Sequence, residues 1–174
     1  WGQIIREMLG ADLDYMAFKI RELSKGKEIE FSHTCPNCHT KLKTIVETSE
    51  FGIKPYLGQS VIEFSLMRGY KDNKGQIHKD GQLRLPNGFD REIVTPQFKK
   101  NASTATSLLL SRLVSFNDGA VVTQKNIAEM SLRDRGILED LLGDNTFGLD
   151  TNIEITCDTC GADLSGEVGQ SNFF

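Results

Sequence analysis

The chain has 174 residues, of which 39% are hydrophobic and 25% charged, and this composition describes an ordinary folded globular protein. The net charge of −4 argues against broad, nonspecific binding of nucleic acid. No apolar run approaches the roughly 18 residues that a membrane span requires, and the N-terminus lacks the basic start and apolar core of a signal peptide. We therefore expect no membrane partner.

Two short helices are predicted at the start of the chain. The first covers about residues 3–9 and ends at Gly10, and Asp12 is a suitable N-cap for the second. Gly26 can supply the left-handed position that ends the second helix. An apolar stripe runs along it at spacings of three, four and three residues, formed by Leu13, Met16, Ile20 and Leu23. Such a stripe predicts core packing and not a recognition face.

Strands and turns dominate the next part of the chain. The pattern of residues 28–47 predicts a strand, a cysteine turn and a second strand. Residues 51–100 are rich in strand and turn signals, with alternating apolar positions at Ile62, Phe64 and Leu66. The segments "QLRLPNG" (82–88) and "REIVTP" (91–96) predict two further short strands.

Helices return in the last third. One is predicted over about residues 104–115, and a shorter one begins near Thr123. Ser131 and Asp134 resemble a capping box that opens a further helix, and Gly143 is its predicted end. The chain closes with a strand, a second cysteine turn and another strand. Because no regular βαβ alternation occurs, we predict an α+β fold without a parallel doubly wound sheet.

The two cysteine segments are copies of one unit. An offset of 122 residues superimposes both cysteines of the two C-x-x-C pairs, carrying Cys35 onto Cys157 and Cys38 onto Cys160. The same offset aligns the flanking apolar positions, namely Phe31 with Ile153, Leu42 with Leu164, and Val46 with Val168. A strand, a C-x-x-C turn and a return strand, present twice, predict the two knuckles of a four-cysteine zinc ribbon.

The long gap between the two pairs does not exclude one shared site. It holds 118 residues, where a compact ribbon has roughly 15–20. Because loop-closure cost grows only with the logarithm of length, the excess costs about 1.7 kcal/mol. A structural zinc ion contributes on the order of 10–16 kcal/mol. We therefore predict one structural Zn²⁺ bound by Cys35, Cys38, Cys157 and Cys160, the alternative being free thiols or separate redox C-x-x-C motifs.

Nothing in the sequence indicates an enzyme. Four thiolates complete a tetrahedral zinc site and leave no position for water or a small-molecule substrate, so His33 and His39 are expected to be bystanders. No HExxH, phosphate-binding glycine loop or GxSxG motif occurs in the chain. Residues 127–174 hold two Lys/Arg against ten Asp/Glu. This acidic part favours contact with a basic protein surface, although a merely solvated acidic face explains it equally well.

These expectations give one layout for the chain. We predict a single domain over residues 1–174 that begins with a helical segment at 1–28. The zinc-ribbon halves lie at 29–50 and 150–174, and residues 51–149 form an inserted α+β region that is folded and not a flexible tether.

Three segments together resemble a known family. They are "DYMAFKIRELSKGKEIEFSHTCPNCHTKL" (14–42), "SLRDRGILEDLLGDNTFGLDTNIEITCDTCGADL" (131–164) and the terminal "NFF". This combination resembles the zinc-ribbon baseplate-hub and tail-assembly proteins of contractile-tailed (T-even-type) bacteriophages. The order and wide separation of the knuckles carry the resemblance, which covers residues 12–50 and 125–174 well and the middle only loosely.

The resemblance implies a non-enzymatic structural or assembly protein of a phage tail baseplate. Its partners would be other tail proteins, and its location would be the host cytoplasm during assembly and the virion tail baseplate afterwards. The alternative is a zinc-ribbon nucleic-acid-binding or transcription-associated protein. Phe173 and Phe174 are candidate partner-binding residues, because two adjacent Phe side chains need a surface to pack on; the alternative is that they cover this protein's own core.

Overall fold

The structure is a computed structural model that describes residues 2–56, 58–144 and 147–167. The described residues contain six α-helices: α1 (Gly2–Glu7), α2 (Gly10–Lys25), α3 (Gly88–Phe98), α4 (Ala102–Leu113), α5 (Gln124–Ala128) and α6 (Leu132–Asp144). They also contain nine strands: β1 (Glu28–Thr34), β2 (Lys41–Glu47), β3 (Gly52–Lys54), β4 (Val61–Lys71), β5 (Ile77–Arg84), β6 (Val114–Phe116), β7 (Gly148–Asp150), β8 (Asn152–Thr156) and β9 (Asp163–Glu167). All strand pairs formed by these residues are antiparallel, which confirms the predicted α+β class.

The chain divides into two compact units. Unit 1 comprises Trp1–Gly10 and Leu57–Thr146, and unit 2 comprises Ala11–Tyr56 and Phe147–Phe174. The helices within the described residues are too short or too polar to cross a membrane. That the whole chain behaves as one domain stays a prediction.

Unit 1 is built on the antiparallel sheet β4-β5-β6. The predicted alternation along β4 is confirmed, because Ile62, Phe64 and Leu66 are all buried. Helix α4 buries Leu110 and Leu113 in the same unit, and the predicted helix at Thr123 is α5, whose first turn is capped by the Thr123 hydroxyl. Unit 1 therefore has a hydrophobic core of its own.

The segment 91–96 is a helix and not a strand, so that prediction was wrong. It lies in α3, which begins after Asn87 with a reciprocal capping box: the Asn87 side chain accepts from the Asp90 N–H, and the Asp90 carboxylate accepts from the Asn87 N–H. Asp90 is fully buried and also binds Arg84 through two hydrogen bonds of 2.6 and 2.9 Å and Arg112 through one of 2.7 Å. The cap and these ion pairs outweigh the strand preference of the β-branched residues.

A second buried carboxylate, that of Asp134, holds an irregular point in β4. The pairing of β4 with β5 shifts register between Ser65 and Tyr70. Three consecutive N–H groups at this bulge, those of Met67, Arg68 and Gly69, donate to the Asp134 carboxylate over 2.7 to 3.3 Å. Burial raises the pKa of Asp134, but these N–H donors and the Ser131 hydroxyl outweigh burial and leave the pKa below its ordinary value. The predicted Ser131–Asp134 pair is confirmed, and it joins α6 to β4.

Unit 2 packs α2 against small antiparallel sheets. Its core consists of six buried side chains: Phe18, Ile29, Phe31, Val46, Phe51 and Ile153. Strands β1 and β2 form one hairpin and β8 and β9 another, as predicted for the two cysteine segments. Phe31 and Ile153, which the 122-residue offset aligns, both lie in this core; Val168 lies outside the described residues.

The short strands β3 and β7 of unit 2 pair with each other. They lie next to the two ends of the intervening segment, which belongs to unit 1. Gly52 pairs with Asp150 and Lys54 with Gly148. The rings of Tyr56 and Phe147 contact each other with centroids 4.7 Å apart. The chain therefore leaves unit 2 and returns to it at one point.

Three of the four residues in the predicted core stripe of α2 are exposed and Leu13 is half-buried, so this prediction was wrong. Met16, Ile20 and Leu23 are 42%, 57% and 87% exposed. The opposite face is buried through Phe18 and Arg21, and the Arg21 guanidinium donates to the carbonyl oxygens of Gly26 and Glu28. These bonds satisfy carbonyl groups at the end of the helix and the start of β1, which is why a charged residue occupies a core-facing position.

His78 lies in unit 1 between two carboxylates. Its Nδ1 is 2.5 Å from Asp118 Oδ2, and its Nε2 is 3.5 Å from Asp72 Oδ2. The ring is buried beside Tyr70 and Phe116. The hydrogen bond to Asp118 raises the pKa of His78 above its ordinary value, against the opposing effect of burial.

We predict that Asp134→Ala lowers the free energy of unfolding by about 3 kcal/mol or more, because it leaves three N–H groups at the β4 bulge without their acceptor. Asp140→Ala is the matched control, since Asp140 is an exposed carboxylate on the same helix. Urea unfolding followed by circular dichroism measures both variants. Equal effects of the two substitutions would contradict the role given to Asp134.

We also predict that His78 stabilises the fold most at low pH. A group whose pKa is raised by folding contributes stability that is fully present below its unfolded pKa of about 6.5 and is lost as the pH rises through the folded pKa. The excess unfolding free energy of the wild type over His78→Gln should therefore be largest below about pH 6.5 and should fall as the pH rises above that value. Asp118→Asn should flatten this dependence, whereas a wild-type excess that stays constant with pH would refute the prediction.

Candidate metal centre

The two cysteine turns have the same backbone structure. In the first knuckle (35–38), the Cys35 N–H donates to the Thr40 carbonyl and the His39 N–H donates to the Cys35 carbonyl, both over 2.9 Å. In the second knuckle (157–160), the Cys157 N–H donates to the Ala162 carbonyl over 2.9 Å, and the Gly161 N–H donates to the Cys157 carbonyl over 2.8 Å. These bonds are related by the 122-residue offset seen in the sequence.

The residue after each second cysteine has a left-handed backbone. Gly161 has φ of 69° and His39 has φ of 58°. Glycine adopts this conformation without steric cost, whereas a residue with a Cβ does so less readily. The mismatch between Gly161 and His39, visible in the sequence, is therefore accommodated by His39 taking the glycine conformation.

The structure brings all four predicted cysteines together. Their Sγ atoms all lie within 4.8 Å of one another, and we call Cys35, Cys38, Cys157 and Cys160 the cysteine cluster. The Sγ atoms of Cys35 and Cys160 are 3.7 Å apart, as are those of Cys38 and Cys157. All four are free thiols, and Cys35 and Cys157 are buried while Cys160 is exposed. The cluster is thus open to solvent on the side of Cys160.

Hydrogen-bonding groups of the turns surround the sulfur atoms. The Thr40 hydroxyl and then its N–H lower the pKa of Cys38 to about 6. The pKa of Cys160 is lowered by the Ala162 N–H and next by the side-chain amide of Asn37. The Cys160 N–H lowers the pKa of Cys157, but burial and the neighbouring thiols raise it, to about 11.

These pKa values differ because hydrogen bonds lower those of Cys38 and Cys160, whereas burial and the neighbouring thiols raise that of Cys157. Thiolates so close together repel one another, so their protons are shared unequally until a cation compensates the charge. A soft divalent cation among the four sulfurs would supply that compensation. The donor set therefore fits a metal ion.

The histidines near the cluster are not part of it. Among the described residues, the group of side chains close enough together to hold a metal ion contains the four cysteines and neither histidine. The His39 side chain is exposed, and the ring of His33 stacks on Phe31 with centroids 5.3 Å apart. Sequence reasoning missed Asn37 and Thr40, whose side chains contact Cys160 and Cys38. Their residue types alone gave no signal, because Asn and Thr are common in any turn.

Phe173 and Phe174, the predicted partner-binding residues, lie outside the described residues.

Comparisons with known proteins place the chain in one family. No curated protein and no solved structure matches it. A family model described as "T4 bacteriophage base plate protein" matches residues 3–174, which is nearly the whole chain and includes both knuckles. The chain therefore belongs to the family of T4 bacteriophage base plate proteins.

Proposed function

We propose that this chain is a non-enzymatic structural or assembly protein of a contractile-tail baseplate, in its hub region, and that the cysteine cluster binds one structural Zn²⁺. The family match supports the role in the baseplate and association with other tail proteins. The observation that carries the zinc proposal is the mutual approach of four cysteine sulfurs to within 4.8 Å.

The sulfur distances fit a tetrahedral metal site. With a Zn–S bond of about 2.3 Å, the edges of a regular tetrahedron of sulfurs measure about 3.8 Å. The two cross-knuckle distances of 3.7 Å agree with that edge. A disulfide requires about 2.05 Å between sulfurs, so the cluster is not arranged as two disulfides.

A four-thiolate site favours a structural role over a catalytic one. Structural zinc sites have four protein ligands, whereas catalytic sites have three and keep one position for water. The cysteine cluster supplies four ligands from two knuckles that are far apart in sequence but lie in the same unit. The bound ion would therefore tie the β1–β2 hairpin to the β8–β9 hairpin and stabilise unit 2.

The family also supports a proposal for the location and the partners of the chain. The chain would be made in the host cytoplasm, where thiols stay reduced and can bind zinc, and would join the tail baseplate through contacts with other tail proteins. We propose protein neighbours and no nucleic acid, since the net charge is −4. The docking role of Phe173 and Phe174 stays a prediction.

We predict one zinc ion per chain in protein purified under reducing conditions. Cys35→Ser and Cys157→Ser each remove one ligand of the same ion, so both should lose the metal and lower the free energy of unfolding by the same large amount, about 4 kcal/mol or more. Elemental analysis and hydrogen exchange measure this, with protection lost in the two cysteine hairpins. A wild-type content near zero or near two ions, or iron instead of zinc, would overturn the shared zinc site.

We predict that His39→Gly keeps the zinc and leaves the free energy of unfolding between unchanged and about 1 kcal/mol higher, because glycine fits the left-handed backbone without steric cost. Thermal unfolding and elemental analysis of the same sample test this. Loss of zinc from His39→Gly would show that His39 is a ligand after all.

The baseplate role is tested by removing the gene from the phage and supplying variants in trans. We expect that its absence prevents complete tails and that wild-type protein restores them and co-purifies with tail proteins, whereas Cys157→Ser does not. Infectious particles with normal tails in the absence of the protein would count against a structural or assembly role. A salt-dependent shift of labelled DNA at micromolar protein would instead favour the nucleic-acid-binding alternative.

A further inference from the structure

The two knuckles share a backbone but differ in the side chains around the sulfurs. In the first knuckle, Asn37 and Thr40 contact the sulfur atoms of Cys160 and Cys38 over 3.5 and 3.3 Å. The 122-residue offset places Thr159 and Ala162 at the equivalent positions of the second knuckle. Thr159 donates its backbone N–H to Cys157, and alanine has no side-chain donor. Ala162 therefore offers no side-chain counterpart to Thr40, and the sulfur contacts made by Asn37 and Thr40 both come from the first knuckle.

Asn37 differs from Thr40 in what it joins. Thr40 contacts the cysteine two positions before it, within its own turn. The Asn37 Nδ2 atom donates to a sulfur 123 residues away in the chain, across the gap between the two knuckles. Asn37 is therefore placed to affect how the knuckles meet, which a contact within one turn cannot do.

The sulfur that Asn37 contacts is the most accessible of the four. Cys160 is exposed, Cys38 is half-buried, and Cys35 and Cys157 are buried. A ligand that faces water is the one at which a chelator or an alkylating reagent attacks first. Hydrogen bonds to a metal ligand fix its orientation, and removing such outer partners typically costs about 10–100-fold in metal affinity.

We propose that Asn37 is a positioning residue of the metal centre, whose amide holds the exposed Cys160 sulfur in place from the opposite knuckle and so sets the rate at which the metal is lost. This inference rests on the proposed zinc site. According to this inference, the metal is lost first at the Cys160 sulfur, and the side chain of Asn37, which is not a ligand, controls how fast.

The test compares zinc release from the full chain loaded with one zinc ion. Release into excess EDTA is followed for the wild type, Asn37→Ala, Asn37→Asp and the matched control Thr159→Ala. We expect release to be about tenfold faster or more in both Asn37 variants. Thr159→Ala, at the equivalent turn position, should stay within about twofold of the wild type, because its backbone donor is retained. Asn37→Asp has the shape of Asn but offers a carboxylate in place of the amide donor.

A second measurement distinguishes a specific effect of Asn37 on Cys160 from a general destabilisation of the cysteine cluster. Alkylation of the zinc-loaded protein by iodoacetamide, mapped by mass spectrometry, should rise at Cys160 in Asn37→Ala before it rises at Cys35. Equal increases at all four cysteines, or release from Asn37→Asp at the wild-type rate, would overturn the role of Asn37. A wild-type chain that binds no zinc overturns the proposed zinc site as well, whereas normal zinc content with unchanged release in the variants overturns only this inference.

Discussion

The approach of four cysteine sulfurs to within 4.8 Å is the constraint on which unit 2 depends. Two segments separated by 118 residues must come close enough for their cysteine sulfurs to contact each other. The structure distributes that requirement over more than the sulfurs, because β3 and β7 pair and Tyr56 contacts Phe147 where the intervening chain leaves and returns. The entropy of closing the long loop is then shared between strand pairing and the cluster. A large insertion between the two halves of the cysteine cluster therefore costs little free energy.

In unit 1, two buried carboxylates connect segments that are distant in sequence. Asp134 accepts N–H groups from the β4 bulge and links α6 to the sheet, while Asp90 caps α3 and binds Arg84 and Arg112. Each carboxylate satisfies backbone donors that a bulge or a helix start leaves without partners. Because every oxygen has several donors, burial of the charge is compensated at these points. Unit 1 is thus held together by specific polar contacts in addition to its apolar core.

The sequence predicted what local patterns determine and missed what depends on distant partners. The duplicated C-x-x-C turns, the alternation at Ile62–Leu66 and the Ser131–Asp134 cap are local, and the structure contains them. The helix α3 was missed because the β-branched residues of 91–96 favour a strand, and the capping box that begins the helix at Asn87 was not recognised in the sequence. The stripe on α2 was placed in the core because apolar spacing cannot show that Phe18 and Arg21 face the core instead. The β3–β7 pair joins three-residue strands, which are too short to give a pattern.

The two knuckles have the same backbone structure but expose different charged side chains. Their backbone hydrogen bonds correspond one to one, yet the first hairpin exposes Lys41 and Lys43 and the second exposes Asp158 and Asp163. Metal binding needs the cysteines and the left-handed turn, and it places no demand on these charges. The two knuckles thus share the backbone that brings the sulfurs together, while the charges that they expose differ.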